Sequence, residues 1–314
     1  MTTHVVYPGD RVSVLFAASD AQAFQALAQD PTLSHPEVFS GRQLEASFRM
    51  GRPLYGYLGW VLSFGQPDAV STVLVLLTIA SGGAASAALA LLARSVVVPI
   101  WIAPLFLILP GASGAVWGTG PELLALALAT FGIVVLLQSK QRWWIAAICL
   151  VLAVLARETM LIVPVVMFFV VFRKTPRGDR TALCVTCGIP FVALGTWYLI
   201  VWARVGTLPF GRKPATLGLP GIGIIRSAGQ WDAMSLLGAL ILALIVVAAI
   251  LRRRPPVSSL TLGYGVLAVV LTAATWGRSE DFGRVLLPLY AYGLLTLAPS
   301  RTVADEPREQ VPCT

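Results

Sequence analysis

Five short segments place ionisable residues where they are costly unless they pair or act. SDAQAFQALAQDP (residues 19–31) sets Asp20 at the start of a short amphipathic helix, and GRPLYGYLGW (51–60) sets Arg52 where the chain turns apolar. GPELLALAL (120–128) opens a helix with Pro121 and Glu122 in its first turn. LARETMLIVP (155–164) inserts Arg157 and Glu158 between two apolar runs, and RSEDFGRVLLPLY (278–290) puts Glu280, Asp281 and Arg284 at the entrance of the last helix. An acid beside a membrane-embedded cavity is suited to general-base work. A guanidinium near the membrane surface can clamp a phosphate bidentately.

Each residue type also has a plainer use. Asp20 could N-cap a helix that begins at Ala21. Pro121 and Glu122 suit the first turn of any helix, where proline is tolerated and an acid is stabilised. Arg157 and Glu158 could form a mutual or neighbouring ion pair that orients two helices, and Arg284 could be an interfacial anchor. Other chemistries have little support. His4 and His35 are isolated, and Cys184 and Cys187 form a CxxC with no second pair or nearby His, so buried packing thiols are expected rather than a metal site. The GIG at 221–223 lacks both the third glycine and the preceding strand of a dinucleotide fingerprint. No cofactor is expected.

The elements that must position these residues follow from composition. A mean hydropathy of +0.79, with 57% apolar and only 12% charged residues, excludes an ordinary soluble domain, which carries about 25% charged residues. The fold class expected is all-α, a polytopic bundle of transmembrane helices. Apolar runs bounded by charge, Pro or Gly predict nine spans, at about 70–93, 95–117, 121–138, 143–156, 159–172, 182–203, 235–251, 257–276 and 285–299. The run at 54–64 is too short to cross and reads as an interfacial or re-entrant helix. Small residues at four-residue spacing, such as Gly82 with Ser86, favour close helix approach. Residues 1–69 thus form an outer loop segment, 70–299 the membrane domain, and 300–314 a disordered tail.

The net charge of +8 is scattered over helix ends, which argues against nucleic acid and for positive-inside topology. The inner side takes Arg94, Lys140, Arg142, Arg173, Lys174, Arg177, Arg180, Arg252, Arg253, Arg254, Arg301 and Arg308, with Asp179, Asp305, Glu306 and Glu309. Twelve bases against four acids leave +8, the whole net charge of the chain. The opening segment, the loop 205–234 and the turn 278–284 then share the outer face. Three lysines among 23 basic residues, and no asparagine, point to a high-GC prokaryotic genome. The expected location is a bacterial cytoplasmic membrane.

Taken in order, DAQAFQALAQDP, GRPLYGYLGW, the Pro-Glu helix start, LARETMLIVP and GRVLLPL resemble bacterial members of the GT-C superfamily of polytopic glycosyltransferases, including mannosyltransferase-like cell-surface glycopolymer proteins. The resemblance covers most of the chain, although each motif is short. It implies sugar transfer from a polyprenyl-phosphate donor to a cell-envelope glycan or lipid acceptor on the extracytoplasmic face, among membrane lipids and without nucleotide or metal. It also implies that Asp20 is the catalytic base, with Arg52, Glu122, Arg157, Glu158 and Arg284 lining the substrate and phosphate cavity. The sequence departs from the superfamily pattern in having no second acid beside Asp20 and no transmembrane helix ahead of it. The expectation is that such a helix precedes Met1 in the gene, or that the segment inserts after synthesis. The alternatives are a transporter or flippase of a lipid or small solute, for which intramembrane Arg157 and Glu158 would line a gated pathway, and a non-catalytic protein of the same architecture.

Overall fold

A computed structural model describes residues 21–34, 50–138, 140–209 and 217–299. Its described residues are helical, with no strand beyond an isolated bridge between Leu217 and Leu271. The helices are α1 (Ala21–Gln29), α2 (Pro53–Leu62), α3 (Pro67–Ser95), α4 (Pro110–Trp117), α5 (Glu122–Gln138), α6 (Trp143–Ala156), α7 (Ile162–Phe172), α8 (Arg180–Val205), α9 (Ile222–Ala228), α10 (Ala233–Arg252), α11 (Val257–Val270), α12 (Ala273–Trp276), α13 (Ser279–Val285) and α14 (Leu287–Leu297). Four 3₁₀ segments, Ile100–Ile108, Lys140–Arg142, Glu158–Leu161 and Arg177–Asp179, complete the described bundle.

Three helical stretches, Pro67–Ser95, Arg177–Val205 and Ala233–Arg252, are long and apolar enough to cross a membrane. At 1.5 Å per residue, the 29 residues of α3 extend about 43 Å, enough to cross a ~30 Å hydrocarbon layer with tilt. Local chemistry fixes their ends. α3 opens with Pro67 and Asp68 and closes with Arg94, matching the helix dipole at both termini. α8 stops at Gly206, whose φ of +77° is the left-handed conformation that glycine adopts without strain. α10 starts on Asp232, whose carboxylate accepts the Ser235 N–H at 2.8 Å. Leu236, Leu240, Leu244, Val247 and Leu251 form an exposed stripe along α10, and Val185, Val192 and Leu199 do the same on α8. Water would not tolerate stripes of this extent, whereas lipid would cover them.

Several of the expected spans are not single helices. The run at 95–117 is broken by Pro99, Pro104 and Pro110 into a 3₁₀ segment and the short α4, because proline supplies no N–H to an α-helical ladder. The run at 257–276 is interrupted at Leu271, where the backbone is extended and the 217–221 loop bonds back to α11 through Gly218 N–H to Val270 O at 2.8 Å and Gly221 N–H to Val269 O at 2.7 Å.

The largest buried cluster runs from the second half of α3 through α14. α1 is the short amphipathic helix that the sequence predicts, and it is largely covered: seven of its nine residues are buried. Ala21, Phe24 and Ala28 pack on Tyr55, Val70 and Leu74, while Ala23, Ala26 and Leu27 face Met50 and Val201. Phe24 meets Tyr55 edge-on at 5.3 Å between ring centroids. A Cβ at Gly56 would sit 2.9 Å from Leu27 Cβ, and one at Gly59 would sit 3.2 Å from Ala28 Cβ, so small residues set this approach. The register of Phe24 on Tyr55 and Ala28 on Gly59 makes α1 and α2 parallel. It also brings Ala21 to the level of Arg52. A Cβ at Gly82 would meet nothing closer than 3.7 Å, from Leu107 and Leu123, so this glycine by itself does not set the close packing of α3 against α5.

Candidate functional site

Four charges converge where the chain breaks helical geometry. α6 ends at Arg157, which is extended (φ −156°, ψ 121°), and Glu158 begins a 3₁₀ turn. In extended backbone, successive side chains point to opposite sides. Arg157 and Glu158 therefore do not share a partner. Arg157 Nη1 pairs with Glu122 Oε1 at the first residue of α5, and both side chains are almost wholly buried. Glu158 takes the guanidinium of Arg52, the residue that precedes α2, in a bidentate contact: Nε to Oε2 at 2.6 Å and Nη2 to Oε1 at 2.5 Å. The side chain of Glu158 is 28% exposed against 9% for Arg52, so this pair forms the open edge of the cluster.

Arg284 joins the same end from α13. It lies in the last turn of that short helix, not at the start of the final one as its sequence suggests, because α13 and α14 are separate. Its guanidinium contacts Asp281 at 3.3 Å. Its stem runs along a glycine face of α4: a Cβ at Gly114 would meet Cγ at 3.1 Å, and one at Gly118 would meet Nη1 at 2.6 Å. The turn Gly118–Pro121 then carries the chain to Glu122. Thr119 is held at φ +44°. The charges of Arg157, Arg284 and Arg52 all act on the Glu122 carboxylate. Tyr198 of α8 feels both Glu158 and Arg52.

Pairing does not satisfy every polar atom. Glu122 Oε2, Arg157 Nε and Thr159 Oγ1 are buried with no hydrogen-bond partner among the described residues. Buried polar atoms are ordinarily bonded, so these orphans call for a polar partner such as water or a ligand. On α1, Gln25 Oε1 and Gln29 Nε2 are in the same condition.

Of the sequence-derived residues, Arg52, Glu122, Arg157, Glu158 and Arg284 thus gather at one end of the bundle. Asp20 lies outside the described residues, as do His4, His35, Arg212, Lys213, Cys313 and the tail from 300. The alternatives for Arg157 and Glu158 resolve into neighbouring pairs, and Glu122 is both a helix start and an ion-pair partner. Cys149 and Cys187 are buried thiols, but Cys184 is exposed on the bundle surface. No group of three His, Cys, Asp or Glu suited to a metal occurs among the described residues. Gly114 and Gly118 were missed by the sequence reading, although their four-residue spacing carries the signal sought at Gly82 and Ser86. Tyr198 has no sequence signal of its own.

No family model, curated protein or solved structure matches the chain.

Proposed function

We propose that the chain is an integral membrane glycosyltransferase of the GT-C type, which crosses the bacterial cytoplasmic membrane about nine times and moves a sugar from a polyprenyl-phosphate donor to a cell-envelope acceptor. The observation that carries this is the buried cluster of crossed ion pairs, with orphaned polar atoms, at the end of the bundle where the short outer loops are expected. Charges held so far from water are a functional hypothesis by default.

In this scheme Asp20, the residue before Ala21 in the sequence, removes the proton of an acceptor hydroxyl. That oxygen attacks the anomeric carbon, the bond from carbon to phosphate oxygen breaks, and the lipid phosphate leaves with inversion at the sugar. Base catalysis of this kind contributes ~10² to 10⁴-fold. Arg284, whose ion-pair partner Asp281 is 41% exposed, stabilises the departing phosphate, whereas Arg157 is committed to Glu122 inside the cluster. Arg157, Glu122, Arg52 and Glu158 are positioning residues that fix the end of α6 against α2 and α5.

Transport of a lipid or solute is the alternative. The break at Arg157, with its unsatisfied atoms, resembles the discontinuous helices that line transport pathways. Purified protein in liposomes, given a polyprenyl-phosphate sugar and acceptor, separates the two. Sugar transfer that Asp20→Asn abolishes in intact protein supports the enzyme. Transfer unaffected by Asp20→Asn removes Asp20 as the base, absence of transfer removes the enzyme reading, and solute or lipid flux without transfer installs the alternative.

A further inference from the structure

The opposite end of the bundle carries a feature that the charge cluster does not use. α6 and α8 run parallel there, both starting at the same end, and leave between them a groove of about 910 Å³. Its walls are apolar, formed by Trp144, Ile148 and Val151 on α6 and by Ala182, Val185 and Ile189 on α8. Trp144 to Val151 is a length of about 10 Å at 1.5 Å per residue, the scale of the upper part of an acyl chain. The mouth has a different character. Gln141, Gly178 and Thr181 line it, and beside them in the chain stand the exposed Arg142 and Arg177, with Arg173 and Lys174 one turn away. Asp179 is the only acid in these two connections. Two helix N-termini, of 14 and 26 residues, add their positive dipole ends to the same rim.

We infer that this groove binds an anionic phospholipid, whose acyl chain lies between α6 and α8 and whose phosphate sits at the Arg142 and Arg177 rim. An apolar channel alone would accept any lipid. The excess positive charge at its mouth selects the headgroup, as basic pockets between transmembrane helices do. Trp144 stands where aromatic side chains mark the level of the headgroups. Neither the chemistry nor the position depends on the charge cluster at the other end.

The test uses the full-length protein in detergent micelles, with phosphatidylglycerol or phosphatidylcholine of matched chains added during native mass spectrometry and thermal unfolding. Binding and stabilisation should favour phosphatidylglycerol. Arg142→Gln and Arg177→Gln should each weaken that preference about fivefold and leave phosphatidylcholine binding unchanged. Ala182→Trp, which fills the groove from an exposed position, should remove the site with the arginines intact. Soluble glycerol phosphate should not substitute, because it lacks the chain. Equal binding of both lipids, or phosphatidylglycerol binding that survives both the Arg double variant and Ala182→Trp, overturns the proposal. So does crosslinking through positions 144 and 185 that shows a second copy of the chain seated in the groove.

Discussion

The Glu122–Arg157 pair makes the most demanding prediction, because its worth is set by burial rather than by any assigned activity. The two side chains are 5% and 4% exposed. Replacing Glu122 with Gln keeps the shape but leaves a guanidinium without its counter-charge in a place that water does not reach. Breaking a buried pair in this way costs about 3–5 kcal/mol. Arg157 would keep the more distant attraction of Glu158, which acts on it already, so the lower end, ~3 kcal/mol, is expected. At roughly 2 °C per kcal/mol for a chain of this size, the unfolding midpoint should fall by ~6 °C or more. The Arg52–Glu158 pair should respond less. Arg52→Gln strands a carboxylate that is 28% exposed, and partial hydration limits the loss to on the order of 1–2 kcal/mol.

Thermal unfolding of purified protein, followed by the fraction that stays monodisperse after heating, reads both effects. The decisive variant is the double replacement Glu122→Gln with Arg157→Leu. It removes the stranded charge, so it should be more stable than Glu122→Gln alone, with a coupling energy of ~1–3 kcal/mol. Were Glu122→Gln to unfold within ~0.5 kcal/mol of the parent, or the double variant to show the sum of the single losses, the two residues would not be joined as described.

Gly118→Ala tests whether Arg284 is positioned by α4. The φ of −76° suits alanine, but the new methyl would press Arg284 Nη1 at 2.6 Å and the Gly114 carbonyl at 2.9 Å. The heating assay should register a loss of about 1 kcal/mol, while the proposed sugar transfer should fall by up to ~10²-fold, the cost of a small misplacement; unchanged turnover would show that this contact does not set the arginine. Gly111→Ala has the opposite signature, because its Cβ would meet the backbone carbonyl of Gly283. It should destabilise the α4–α13 contact by ~1–3 kcal/mol, measured by the same heating assay. Asp232 gives a pH dependence. Hydrogen bonds from Ser235 hold its carboxyl below the usual range, so its support for α10 is present above the ordinary carboxylate pKa and is lost as pH falls through the lowered one. Asp232→Ala should flatten that acid limb in an unfolding series below about pH 4, and an unchanged limb would assign it elsewhere. In detergent, N-ethylmaleimide should label Cys184 before Cys149 or Cys187, because only the first is exposed; peptide mass mapping checks the order.

Much of the fold was legible because apolar composition leaves helices as the natural way to satisfy the backbone. Several helix ends meet in pairs: Gln138 reaches Ser95 at 3.2 Å, Arg254 bonds Ala298 O at 2.8 Å, and Arg180 stacks on Phe172 at 4.7 Å. The prolines at 99, 104 and 110 were visible, yet hydropathy averaged over a window hid what they do to a helix. α1 was legible as a short amphipathic helix, but its burial was not. Its Gln residues imply a wet face when the sequence stands alone, and only the packing of α2 and α8 shows that both sides are covered.

The charge cluster shows most directly where sequence stops. An arginine and a glutamate side by side in an apolar run are a strong signal that something must neutralise them, whereas Arg52 stood out where the chain turns apolar, Glu122 in the first turn of a helix and Arg284 as a guanidinium at a helix entrance. Which charge meets which depends on one backbone conformation. Had α6 continued through Arg157, the two side chains would have stood about 100° apart on one helix, free to share a partner. The extended geometry at Arg157 turns them away from each other instead. Arg157 is thereby committed to the wall made by α5, and Glu158 to the chain entering α2. Two adjacent residues thus tie α6 to two separate elements, which a mutual pair could not do. The strength of that tie is what the double variant at 122 and 157 measures.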